Sequence, residues 1–392
     1  MAIFFGSIDI RYNNYQMKAG IMITNTKKYL LAIFLLGTLL NAQENHKSLP
    51  IGAAAPDFNL PGIDGNNYTL SSFSKANILV IIFTANHCPT AQAYEDRIIK
   101  LTNDYKNNNV QVVCISSNSP QALRLDEMGY SDLGDNIEDM KIRAADKGFN
   151  FPYLYDGDNQ TVAEKYGPQA TPHVFIFDKE RKLRYNGRID DSEKFQKVTV
   201  SDARNALDAL LGGKQVPVEQ TKTFGCSLKW AYKKVSAEEA IAKWNQEKVE
   251  LKQIDLNEIG DLLKNKTDNL RLINIWATWC GPCASEFPEL IEMNRMYRNR
   301  EFEIVTLSTD DPVNKDKVLK FLAKNYASTA NYQYNSDNKY KLIEAIDKDW
   351  PGALPYTLLI KPGGEIIYKK LGSIDPLELK KAIVGYLGRY YK

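Results

Sequence analysis

Two segments of this 392-residue chain close on the same pattern, about half the chain apart. Thr171-Pro172 opens the apolar run Val174 to Phe177, which turns at Asp178 to Lys182 and returns through Leu183 to Gly187-Arg188-Ile189-Asp190. Leu354-Pro355 opens Thr357 to Ile360, which turns at Lys361 to Gly364 and returns to Gly372-Ser373-Ile374-Asp375. A helical pattern ends each block, over Asp202 to Leu211 and over Pro376 to Leu387. A repeat of this length restricts the chain to two copies of one architecture in tandem, because each block needs its own core.

The segments upstream of the two blocks agree. Ile78 to Thr84 is a continuous apolar run, as a strand buried on both faces requires, and it leads to Cys88. Ala91, Tyr94, Ile98, Leu101 and Tyr105 then recur at helical spacing, and Val110 to Ser116 is the next strand. Asn136 to Lys147 reads as a helix and Phe151 to Tyr155 as a short extended piece. In the second half Leu272 to Trp276 is a strand, and Phe287, Leu290, Met293 and Tyr297 mark the buried face of a helix. Phe302 to Ser308 is the strand that follows. Strand, helix, strand, helix, hairpin and helix predict an α/β fold in which each copy is a central mixed sheet with helices on both faces. The expected boundaries are 1–42 for a leader and upstream segment, 50–213 for the first domain, 214–249 for a linker and 250–392 for the second domain.

Lys27 and Lys28 precede an apolar run from Tyr29 to Leu40 and the small-residue site Asn41-Ala42-Gln43. That order predicts a secretory signal cut after about Ala42, hence a periplasmic or otherwise exported protein. The residues before Met22 resemble no targeting signal, which makes Met22 an alternative start. A net charge of +2 with no basic stripe argues against a nucleic acid partner.

The five cysteines are Cys88, Cys114, Cys226, Cys280 and Cys283. Cys280-Gly281-Pro282-Cys283 stands where a strand gives way to a helix, which puts Cys280 at the helix N-terminus. Free backbone N–H groups and the helix dipole there favour a thiolate, the attacking species in disulfide exchange, and Cys283 one turn on can resolve the mixed disulfide. Structural zinc would need four ligands, and the second half has no histidine. The pair therefore reads as a redox-active dithiol, and no cofactor is implied. Cys114, inside a strand, reads as a buried structural thiol.

Trp276-Ala277-Thr278-Trp279-Cys280-Gly281-Pro282-Cys283, with Pro288 following, resembles the thioredoxin superfamily. Ala284-Ser285-Glu286-Phe287-Pro288 is similar to its exported TlpA/ResA-like branch, over about residues 250–392. The resemblance implies that Pro355 is a cis-proline facing the dithiol, that Trp279 borders the exposed sulfur, and that Glu286 adjusts the thiol pKa values. Read from position alone, Glu286 is equally a solvated carboxylate in the first turn of its helix. Asn274 replaces the buried acid of cytosolic thioredoxins and leaves the proton acceptor for Cys283 open. The branch implies protein disulfide substrates, apocytochrome c among them, and a membrane thiol electron donor.

Thr84-Ala85-Asn86-His87-Cys88-Pro89-Thr90 and Phe224-Gly225-Cys226-Ser227 resemble the peroxiredoxin-like, AhpC/TSA-related redoxins, over about residues 50–231. That resemblance implies a thioredoxin fold here too. Where those proteins often carry a cysteine pair, Ala85 leaves Cys88 alone, and no arginine in Val174 to Phe177 would polarise a peroxide. Cys88 can bond Cys226, remain an inert thiol, or act as a reactive monothiol or soft metal ligand with His87 and His173. The leading expectation is two tandem thioredoxin-like domains forming an exported thiol–disulfide oxidoreductase, a reductase by its Gly-Pro insert, with Cys280 and Cys283 catalytic; Cys88 and Cys226 are a candidate secondary redox pair. The rivals are a client- or metal-binding protein and a thiol peroxidase.

Overall fold

The computed structural model describes residues 46–391; the leader expected over 1–42 lies outside them. Both domains belong to one compact unit that starts at Lys47.

In the first domain a small antiparallel pair, β1 (Asn59–Pro61) and β2 (Asn67–Thr69), precedes the main sheet. That sheet has the order β5-β4-β3-β6-β7, with β3 (Ile78–Thr84), β4 (Val110–Ser116), β5 (Tyr153–Tyr155), β6 (His173–Phe177) and β7 (Leu183–Gly187). β3, β4 and β5 run parallel, while β6 and β7 pair antiparallel. Alternation along β3 divides the core. Ile78, Val80 and Ile82 face one apolar layer, and Leu79, Ile81 and Phe83 face the other. Burial on both faces is why the run carries no polar residue before Thr84. The helices are α1 (Pro89–Tyr105), α2 (Ile137–Lys147), α3 (Thr161–Tyr166) and α4 (Asp202–Leu211). Tyr94, Ile98, Leu101 and Tyr105, the apolar stripe of α1, lie in the first layer.

Helix α5 (Lys234–Trp244) leads to the second domain. Its strands are β8 (Lys252–Ile254), β9 (Leu270–Trp276), β10 (Phe302–Ser308), β11 (Ala330–Tyr334), β12 (Tyr356–Ile360) and β13 (Ile366–Leu371). Their order is β13-β12-β9-β10-β11-β8. Apart from the extra edge strand β8, this repeats the order and the parallel–antiparallel pattern of the first sheet. The helices are α6 (Leu256–Lys264), α7 (Gly281–Met296), α8 (Lys315–Lys324), α9 (Lys339–Ile346) and α10 (Pro376–Leu387). Leu270, Leu272 and Trp276 face the layer under α7, while Ile273 and Ile275 face the opposite one. The tandem α/β plan read from the repeat is the architecture observed.

The stretch expected to be a linker divides into two parts. Residues 216–230 return to the first domain. Val216 joins one of its core layers, and Leu228 and Trp230 join the other. Thr221 N–H donates to Asn186 O, and Asn186 N–H to Glu219 O. Only the part around α5 connects the domains. The apolar side chains at 216, 228 and 230 are the physical reason, since exposing them would forgo roughly 1.5–3 kcal/mol each.

Candidate redox sites

Cys280 is the N-cap of α7, and its sulfur accepts the backbone N–H of Cys283 at 3.2 Å. The two cysteines form a disulfide with a Cα–Cα distance of 5.3 Å. Cys283 is fully buried and Cys280 is 5% exposed, while Trp279 beside them is 68% exposed. Gly281 and Pro282 are exposed as well, so the dithiol opens to solvent at a rim made by its own loop. Leu354 packs against the layer that contains both sulfurs, and the Leu354–Pro355 bond that follows it is cis. Trp276 is core, wholly buried among Phe287 and Phe321.

Glu286 is no solvated carboxylate. It is buried, takes the Ile374 backbone N–H at 2.9 Å, and accepts from Asn274 Nδ2 at 3.0 Å. Asn274 Nδ2 also reaches Thr357 Oγ1 at 3.0 Å. Burial pushes the Glu286 carboxyl above its ordinary range, and these two hydrogen bonds only partly offset it. A buried acid one turn along the helix from Cys283 is placed to exchange a proton with it.

Both domains hold the loop before the cysteine helix with a buried aspartate, which sequence reasoning did not single out. Asp310 accepts Thr278 N–H at 2.8 Å and Thr278 Oγ1–H at 2.6 Å, and takes a further bond from Ser308 Oγ. Asp135 accepts the backbone N–H of Asn86 at 2.7 Å and of His87 at 3.2 Å, and lies 2.5 Å from His87 Nδ1. Burial alone would raise Asp135; the His87 imidazole and the hydrogen bonds outweigh that and hold its carboxyl below the usual range. For Asp310 the signal was present, an acid two residues beyond Ser308 at the end of a strand. For Asp135 it was not, because the residue lies far along a loop.

In the first domain Cys88 caps α1 and is bonded to Cys226, with a Cα–Cα distance of 6.0 Å. Cys88 is fully buried and Cys226 is partly exposed. This corrects the alternatives of an inert thiol and of a thiolate metal ligand for Cys88. The imagined ligand set is not assembled either. His173 Nδ1 accepts the Gln169 N–H, and Nε2 lies 2.5 Å from Asn186 Oδ1, so both ring nitrogens are engaged. Burial holds His173 at about 4, and it is therefore neutral. Among the described residues no group of three or more His, Cys, Asp or Glu side chains is placed to hold a metal ion. Cys114 is a buried free thiol, pushed well up by desolvation.

Comparison with known proteins agrees with this geometry. Residues 51–186 match the family model described as AhpC/TSA family, and residues 252–383 match the one described as Redoxin. The chain belongs to the thioredoxin superfamily. Thiol-disulfide oxidoreductase ResA of Oceanobacillus iheyensis is 32% identical over 109 residues, covering 27% of this chain and 53% of that protein. Thiol:disulfide interchange protein CycY of Rhizobium leguminosarum bv. viciae is 30% identical over 122 residues, covering 29% and 56%. The chain thus spans about half the length of the curated relatives it matches. A crystal structure of an uncharacterized conserved protein from Geobacillus kaustophilus is 38% identical, with a TM-score of 0.42, over 46% of this chain and 92% of that one.

Proposed function

We propose that the protein is a thiol–disulfide oxidoreductase acting through Cys280 and Cys283. The observation that carries this is the bonded pair at the start of α7, with Cys280 as N-cap on an open rim and Cys283 buried behind it.

In the reduced protein the Cys280 thiolate, favoured by the helix N-terminus, attacks one sulfur of a client disulfide. A Cys280–client bond forms, and the client's other sulfur leaves as a thiolate and takes a proton. Cys283 gives up its proton and attacks Cys280 Sγ, which closes the Cys280–Cys283 bond and expels the second client sulfur. The client gains two electrons and two protons, and the dithiol loses them. Glu286, on the same helix face as Cys283, is the acceptor for the Cys283 proton. Trp279 and the Leu354–Pro355 loop border the sulfurs where a client chain would lie.

The direction is reduction, supported by the Gly-Pro pair between the sulfurs. The clients are protein disulfides, supported by the printed names of the ResA and CycY relatives, with apocytochrome c among the candidates. The Lys27-Lys28 pair, the apolar run to Leu40 and the site at Ala42 support export with cleavage. In an oxidising compartment the dithiol would need a membrane thiol donor to restore it. The test is reduction of insulin by purified protein supplied with dithiothreitol. Cys280→Ser is expected to abolish it, and a variant with normal turnover would overturn the reading.

A further inference from the structure

Cys88, rather than Ala85, holds in the first domain the place of Cys280: each is the N-cap of the helix that follows the central strand, and Ala91 stands where Cys283 does. Ala85, Cys88 and Ala91 form a small buried cluster, and the side chain packed against it from outside is Cys226. This cysteine is delivered from 138 residues away by the tail that follows α4. The tail is held at this point by the backbone. Thr171 N–H donates to Cys226 O at 2.9 Å and Cys226 N–H to Thr171 O at 3.3 Å, so the tail adds to the Thr171–Pro172 loop as a strand would. Gly225 makes the approach possible: a Cβ there would sit 2.1 Å from Thr171 O, and its φ is +137°.

The pair has the polarity of an exchanging disulfide. Cys226 is partly exposed, and so are its neighbours Phe224, Gly225 and Ser227. Cys88 is fully buried at the helix N-terminus, where Ala91 N–H points at its sulfur from 3.4 Å. A thiolate that attacks from solvent meets Cys226. The sulfur that leaves is Cys88, and the N–H groups at the start of α1 are placed to stabilise its negative charge.

We propose that Cys88–Cys226 is a second redox-active disulfide, in which the tail cysteine supplies the partner sulfur that Ala91 lacks, and that it exchanges with protein dithiols through Cys226. A dithiol thiolate attacks Cys226 Sγ, forming a mixed disulfide as the Cys88–Cys226 bond breaks and its electron pair leaves on Cys88. The second thiolate of the dithiol attacks its own bonded sulfur, closes the dithiol to a disulfide and releases Cys226. Two electrons and two protons pass from the dithiol to Cys88 and Cys226. The dithiol in this step is that of a second molecule.

The experiment mixes full-length oxidised Cys280→Ser/Cys283→Ser protein with reduced Cys88→Ser/Cys226→Ser protein, followed by acid quench, alkylation and mass mapping. The reduced partner is first shown to reduce insulin, so a failure here is distinct from a failure of the function proposed above. Circular dichroism confirms that both variants are folded. The expected result is transfer of electrons to Cys88 and Cys226 without unfolding. A partner that also carries Cys283→Ser should trap a mixed disulfide on Cys226. As a second measurement, Cys226 in the reduced protein should be alkylated roughly 100-fold faster than Cys88. Insulin-active partner that leaves Cys88–Cys226 oxidised, or a mixed disulfide trapped on Cys88, would overturn the proposal.

Discussion

Glu286 lies three residues after Cys283, so the two side chains share one face of α7. Its raised pKa means that it keeps its proton to a higher pH than a free glutamate does. As pH rises through that folded value, the native state must ionise a carboxyl that the unfolded chain has already ionised, and stability is lost. The group is therefore retained at a cost to stability, as expected of one that serves the chemistry. Glu286→Gln should slow release of the Cys280-linked client about 100-fold near pH 6. The gap should close as pH rises into the range where thiols ionise without a base, about 8.5 for an unperturbed cysteine. Acid-quench kinetics across pH checks this, and an equal slowing at every pH would assign Glu286 to holding Asn274 and Ile374 only. In the stability profile, wild type should lose ground to the variant as pH rises. The sequence placed Glu286 near the dithiol but did not distinguish a solvated acid from a buried one. Its contacts come from Asn274 on β9 and Ile374 beyond β13, which only the closed sheet brings together.

At the scale of elements, the strands and helices were largely legible because their cores impose period and length. Ile78 to Thr84 and Phe302 to Ser308 are buried on both faces and leave little ambiguity, and α4 and α10 begin and end at the residues expected from their patterns. The tail was not legible. Residues 216–230 contain no repeating apolar pattern, and their place depends on isolated anchors at Val216, Leu228 and Trp230 and on the close approach at Gly225. A polar segment with a few buried side chains reads as a linker in one dimension. Gly225→Ala tests the anchor. Its Cβ cannot be accommodated against the Thr171 carbonyl, so the tail should lift and Cys226 should no longer reach Cys88. Mapping under non-reducing conditions should find Cys88 unpaired. The first domain should lose about 4 kcal/mol in chemical denaturation, the scale for opening a cross-link across so long a loop. An intact Cys88–Cys226 bond in the variant would contradict this account of the tail.

Across the whole molecule the contacts between the two domains include Leu125 and Met128 against the layer under α7, the loop at 129–133 and the C-terminal end of the chain. Tyr297 Oη donates to Ser131 O at 3.1 Å, Arg300 lies over the Tyr130 ring at 3.9 Å, and Arg389 Nη1 reaches Asp132 Oδ1 at 2.6 Å. Asp132 is buried, which alone would raise its pKa, but the Arg389 guanidinium outweighs that and holds it low. Removing the guanidinium leaves a buried carboxylate unpaired, a loss of roughly 3–5 kcal/mol. Arg389→Ala should therefore uncouple the domains, and calorimetry should resolve two unfolding transitions in place of one. None of this contact was visible in the sequence, because a lone arginine near the end of a chain carries no pattern. What the sequence did carry was the dithiol, whose residues are contiguous.

The central claim is that catalysis runs through Cys280 and Cys283 while the first domain's disulfide is not required for it. The direct test compares insulin reduction by wild type, Cys280→Ser and Cys88→Ser/Cys226→Ser under one dithiothreitol supply. The account predicts activity in wild type and in the first-domain double variant, and none above background in Cys280→Ser. Activity that survives Cys280→Ser, or that disappears with the first-domain pair, would contradict it.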